Sequence, residues 1–201
     1  MLYLLIGFLL VRGIIFLMPK TRQKKLAKDR LIKATNKVMN SMEDQNPYLG
    51  LRGRVFSATP DELNLVLDIT KTSVFAVVMD WDMGDVIMTV VAFQTGDASL
   101  YLSSGQIFIG GYTREKINRA ALMFVNEAQK YLLSSTLTYT NPLPEKGCVR
   151  FYLRTNKGDY TIQESMTNLE NRSSKFGRLF KLGNNLITEY RMLDSENEKN
   201  D

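Results

Sequence analysis

Residues 74–111 read VFAVVMDWDMGDVIMTVVAFQTGDASLYLSSGQIFIGG, and the reading of this stretch decides the fold. Residues 74–79 are rich in β-branched and aromatic side chains. Residues 82–85, Asp-Met-Gly-Asp, are a turn signal, and residues 86–93 answer as a partner, so the spacing predicts a hairpin. Thr95-Gly96-Asp97 turns the chain again. Residues 99–103 and 106–109 then give two short strands around Ser104-Gly105, and Gly110-Gly111 ends the run.

Outward from this meander the pattern changes period. From residue 113 to 133 the apolar positions Ile117, Ala120, Ala121, Phe124, Ala128 and Leu132 fall on one helical face. A loop with Pro142 and Pro144 follows. Residues 149–155 and 160–165 flank Asn156-Lys157-Gly158-Asp159, a second hairpin signal. A last helix is expected from about Ser174, with Phe176, Leu179, Phe180, Gly183, Leu186, Ile187, Tyr190 and Leu193 inward. Upstream, Thr59-Pro60-Asp61-Glu62 carries three helix-start signals: a Thr cap, Pro in the first turn and Glu three residues after the cap. Leu63, Val66 and Leu67 supply its apolar side, so a helix is expected there. Asn46-Pro47-Tyr48-Leu49-Gly50 reads as a break and a domain boundary. Grouped strands imply an α+β fold with a central antiparallel sheet of about five to six strands flanked by helices.

The chain has 201 residues and a formal net charge of +5, distributed unevenly. Residues 1–18, MLYLLIGFLLVRGIIFLM, hold one charge, Arg12, and twelve of the eighteen are Leu, Ile, Phe or Val. As a helix they would span ~27 Å at the usual rise per residue, against a hydrocarbon core of ~30 Å. Those apolar side chains contribute roughly 4–7 kcal/mol toward insertion, against roughly 2.5–3.5 kcal/mol for a central Arg12, so insertion wins. A cleavable signal peptide is the rival. It lacks a basic segment before the apolar run and a small-x-small site after it. An apolar helix packed inside the protein or a partner is the other alternative. Lys20, Arg22, Lys24, Lys25, Lys28, Arg30, Lys33 and Lys37 follow with only Asp29 opposing them. The positive-inside rule then places the N-terminus outside and the rest in the cytoplasm.

The expected organisation is therefore a transmembrane anchor over residues 1–18 and a basic juxtamembrane helix or linker over 19–46. An α+β domain over 47–193 and a polar tail over 194–201 complete it. The expected location is the inner membrane, single-pass, with Lys20, Arg22, Lys24, Lys25, Lys28 and Arg30 against anionic lipid headgroups. From residue 43 onward the net charge is −3, which argues against nucleic acid as the partner of the folded part.

With no histidine and one cysteine, Cys148, the chain cannot build Ser-His-Asp or Cys-His catalysis, a Cys/His zinc site or an intrachain disulfide. No cofactor is expected, and an enzyme is the less favoured reading. Asp80, Asp82 and Asp85 are the densest carboxylates and weak candidates for a hard cation; the competing view makes Asp82 and Asp85 turn-formers and Asp80 a solvent-facing side chain. Ser103, Ser104, Gly105, Gly110, Gly111, Thr113 and Arg114 are candidates for a small anionic ligand, because glycines before a helix start let N–H groups approach an anion. The competing view is a tight hairpin at Gly105 and a close helix–sheet contact at Gly110-Gly111. Trp81 is either a partner anchor or an ordinary half-buried strand residue.

The run GDASLYLSSGQIFIGG before a helix, with Pro142-Leu143-Pro144 and Val149-Arg150-Phe151-Tyr152 beyond, resembles an uncharacterised bacterial protein family over residues 74 to 193. The chain departs from it at Gln106, Ile107 and Phe108, where the family has a glycine-rich run. The resemblance implies a bacterial source and brings no activity. The order of elements is also similar to roadblock/longin and profilin-like topologies, which implies an antiparallel sheet packed between helices. Two functions follow as expectations. The first is a membrane-tethered interaction or scaffold domain with a protein partner or a second copy. The second is a sensor or enzyme domain holding an anion at residues 103–114.

Overall fold

In a computed structural model of the protein, residues 46–197 are described. The expectations for the anchor, the basic segment and the end of the polar tail lie outside them. Among the described residues no helix is long and apolar enough to cross a membrane.

The fold is α+β. Seven strands, β1 (Val74–Asp82), β2 (Ile87–Phe93), β3 (Ala98–Leu102), β4 (Ile107–Ile109), β5 (Thr136–Thr138), β6 (Cys148–Thr155) and β7 (Gly158–Ser165), form one sheet. Its order is β4-β3-β2-β1-β6-β7-β5, with every neighbouring pair antiparallel. The helices are α1 (Pro47–Ser57), α2 (Glu115–Ala128), α3 (Met166–Glu170) and α4 (Gly177–Asn197). Val74 to Asp80 are buried without interruption, because β1 sits mid-sheet with helices above and below. A strand covered on both faces needs no polar alternation.

On one face α2 and α4 close over an apolar core that joins Met79, Phe124, Phe151, Leu179 and Leu186. Gly183 sets how closely α4 approaches. A Cβ there would lie 2.6 Å from Met79 Sδ and 3.3 Å from Phe124 Cζ, so a side chain at this position would have to push Met79 aside. Trp81 is half-buried at this core's margin and meets Phe180 edge-on at 5.4 Å, as an ordinary strand tryptophan does. On the other face α1 packs Tyr48 and Val55 onto Val78, Val91, Tyr101 and Tyr152.

Four elements differ from the sequence reading. The sheet has seven strands, because β5 forms inside the expected loop and pairs with β7. The short helix α3 was unmarked; Ser165 caps it by accepting from Asn168 N. The expected break at residues 46–50 is the start of α1, whose first residue, Pro47, gives up a hydrogen bond that position never makes. The expected helix from Thr59 stops after one turn. Its capping box forms, with Glu62 Oε2 accepting from Thr59 N at 2.8 Å and Thr59 Oγ1 accepting from Glu62 N at 3.3 Å. Asn64 then turns left-handed at φ 55°, and Leu65 N donates back to Pro60 O at 2.9 Å. A cap alone cannot propagate a helix that finds no apolar surface, and Val66 is fully exposed.

Candidate binding site

The α1 face of the sheet carries a buried row of polar groups at its centre, where the opposite face is apolar. Cross-strand register places Tyr101, Thr89, Asp80, Arg150 and Gln163 side by side across five strands. Asp80 is fully buried, which corrects the view of it as solvent-facing. Its carboxylate accepts from Arg52 Nε at 3.0 Å, Arg52 Nη2 at 2.6 Å and Thr89 Oγ1 at 2.5 Å. Tyr48 Oη meets the same threonine hydroxyl at 2.9 Å. Arg52 also donates to the carbonyls of Asn141 at 2.8 Å and Pro142 at 3.3 Å, and the Tyr152 hydroxyl donates to Pro142 O. One arginine therefore ties α1, β1 and the segment after β5 together.

The electrostatics follow from that geometry. Burial alone would lower the Arg52 pKa, but the Asp80 charge and hydrogen bonds reverse this and hold it above its usual value. Burial, with the Asp80 carboxylate nearby, pushes the Tyr48 hydroxyl up to about 12. Burial also raises Tyr152 and Tyr101.

A second buried arginine on this face, Arg154, is matched less completely. Its Nη1 donates to the carbonyls of Val55 and, at 2.8 Å, Ala58, at the C-terminal end of α1, where a cation suits the helix dipole. Its Nε reaches the two Asp159 oxygens only at 3.2 and 3.4 Å. The guanidinium lies between the Phe56 ring at 5.8 Å and the Phe75 ring at 5.2 Å. Burial lowers its pKa, and Asp159 offsets that only in part. Arg154 forms part of the lining of a cleft of about 710 Å³ that opens between residues 58–69, residues 138–141 and the β6–β7 turn. Phe56, Leu65, Leu67, Ile69, Phe75 and Tyr139 give it apolar walls. The reading of the sequence did not single out this cleft. Arg154 sits two residues from Tyr152 on the same strand face, and the only signal was a pair of charges, Arg150 and Arg154, inside a largely apolar strand.

The residues singled out as an anion site are exposed or half-buried except for Gly111. Ser103, Ser104 and Gly105 form the β3–β4 turn, while Gly110, Gly111, Thr113 and Arg114 follow β4, so the strand separates the two groups. Several of their N–H groups are already used. Ser103 N donates to Ile87 O at 2.9 Å, Gly105 N to Leu102 O at 2.9 Å and Arg114 N to Gly111 O at 3.1 Å. Ser103 Oγ accepts from Ile87 N at 2.9 Å. Gly111 is a close-contact position: a Cβ would lie 2.3 Å from Ile117 Cγ2 and 2.8 Å from Tyr190 Oη.

Among the described residues no group of three acidic, histidine or cysteine side chains could hold a metal ion. Asp82 Oδ1 accepts from Gly84 N at 3.0 Å and Gly147 N at 3.2 Å, so it shapes its turn, and Asp85 is exposed. Cys148 is half-buried, with its thiol pKa raised by burial and then by Glu145. Comparison with known proteins finds no family model, no curated protein and no solved structure that matches this chain.

Proposed function

We propose that the protein is a membrane-tethered interaction domain, anchored by residues 1–18 in a single pass with its folded part in the cytoplasm. The apolar run, its basic neighbours and the positive-inside rule support the tether. The observation that carries the interaction role is the β4 margin of the sheet. Among the described residues β4 pairs only with β3, and Ile107 and Ile109, which share a sheet face with Tyr101 and Ser99, are 39% and 65% exposed. No charged residue occurs between Asp97 and Arg114. Sheet margins that must stay unpaired are commonly guarded by charge, proline, a bulge or shortness; β4 is three residues long and carries neither charge nor proline. A strand from a partner, or from a second copy, would complete it through main-chain hydrogen bonds.

The alternative, an anion held at residues 103–114, needs free N–H groups converging on one point. The hairpin turn and the helix start lie at opposite ends of β4, with Ser103, Gly105 and Arg114 N–H groups already bonded. The geometry favours the interaction reading.

The test uses the full chain in native membranes. Alkaline extraction should leave it in the pellet, and deletion of residues 1–18 should release it. Release of the full chain by alkali would remove the tether. Digestion of the domain only from the outer side of intact cells would reverse the orientation.

A further inference from the structure

The two buried arginines of the α1 face differ in what they lack. Arg52 has a wholly buried carboxylate at 2.6 Å and two carbonyls. Arg154 is 8% exposed, has its one ion-paired carboxylate at 3.2 Å on a side chain still 26% exposed, and makes no hydrogen bond from Nη2 among the described residues. It belongs to a cleft whose volume falls within the range of small-molecule sites, roughly 300–1,000 Å³. A guanidinium held between two rings, with a free donor and an incompletely balanced charge, is the residue type suited to a carboxylate. Lys157 supplies a second cation at the cleft, its amine donating to the Thr70 carbonyl at 3.3 Å and acting on the exposed Asp68 carboxylate. The opposing carboxylates Asp61 and Glu62 are exposed, where solvent screens them.

We infer that this cleft binds a small carboxylate with an aromatic or branched apolar body, its acid group on Arg154 Nη2 and its body against Phe56, Phe75 and Tyr139. The site is independent of the β4 margin and of the tether, and it is lined by neither Ser103 nor Arg114.

The experiment titrates the full chain in detergent with phenylacetate as probe, read by calorimetry and saturation-transfer NMR. Phenylacetamide and phenylethylamine supply the same ring without charge and with the opposite charge. Phenylacetate should bind saturably, the amide about tenfold more weakly, and the amine not at all. Arg154→Lys keeps the charge but loses the fork, and should weaken phenylacetate binding about tenfold or more. Because that variant also disturbs the α1 carbonyls, two variants at the cleft's partly open positions carry the test if it fails to fold. Asp159→Asn frees the guanidinium and should tighten binding about two- to fivefold, while Lys157→Ala should weaken it by a similar factor. Equal affinity for acid and amide, an unchanged affinity in both Asp159→Asn and Lys157→Ala, or no saturable binding at about 10 mM overturns the inference.

Discussion

The two faces of the sheet are held by different physics. Under α2 and α4 the contacts are apolar and non-directional: Phe124, Leu179 and Leu186 fill the space above Met79, Phe151 and Leu153. Under α1 the apolar cluster is smaller, and a chain of directional bonds from Tyr48 through Thr89 and Asp80 to Arg52 fixes the helix at one position. A core of the first kind tolerates graded change. One of the second kind fails as a unit, because removing any member leaves a buried polar group unpaired. The face that carries the network also bears the cleft, and Arg52 and Arg154 both hold segments that border it.

The largest expected effect breaks the directional face. Arg52→Ala should lose about 3–5 kcal/mol of unfolding free energy, since Asp80 is then buried without its cation. The double variant Arg52→Met, Asp80→Leu should lose less than Arg52→Ala alone, and urea denaturation of the set reads this non-additivity. On the apolar face Phe124→Ala should also lose about 3–5 kcal/mol, but additively with a distant change such as Tyr48→Phe. Gly183→Ala, which forces Met79 aside, should lose about 1–3 kcal/mol by overpacking.

Much of the apolar face was legible in the sequence. The inward positions of α2 and α4 follow helical spacing, and β1, β2, β6 and β7 announce themselves by β-branched runs and turn residues. The α1 face was not. Its helix buries Tyr48, Arg52 and Val55 at the right spacing, yet an arginine at the centre hides the stripe from any hydropathy pattern. Asp80 presents the same problem, because its burial depends on a partner 28 residues away. Thr59 to Glu62 erred in the opposite direction: the local signals were genuine and the capping box formed, but tertiary contacts gave the turn nothing to extend against. β5 is three residues long and exists only because β7 pairs with it. The Arg154 cleft needs three separated segments to be seen at all.

The pH response sharpens the comparison. Tyr48 has a raised folded pKa, so its stabilising contribution is whole below pH 10, the ordinary tyrosine value, and is lost as pH climbs toward about 12. Alkaline denaturation should start near that lower value, and Tyr48→Phe should flatten it. At the rim of the helical face, burial opposes the Glu127 charge, but bonds to Lys130 at 2.7 Å and Arg178 at 3.1 Å win and depress its pKa. That contribution is whole above the ordinary glutamate pKa and is lost as pH falls below it. Glu127→Gln should therefore blunt the acid limb of a melting curve and leave the alkaline limb unchanged. The smallest stability effect belongs to the margin: Ile109→Lys should shift unfolding by less than about 0.5 kcal/mol, while abolishing association through β4.

Photocrosslinking from position 109 in intact membranes bears most directly on the claim of a tethered domain that recruits a partner through its open strand. The expected result is a discrete adduct, with a partner or a second copy, that disappears when Ile107 is changed to Lys and persists when the Arg154 cleft is altered. A chain that folds, stays in the membrane pellet and yields no adduct from 109 under those conditions would contradict it.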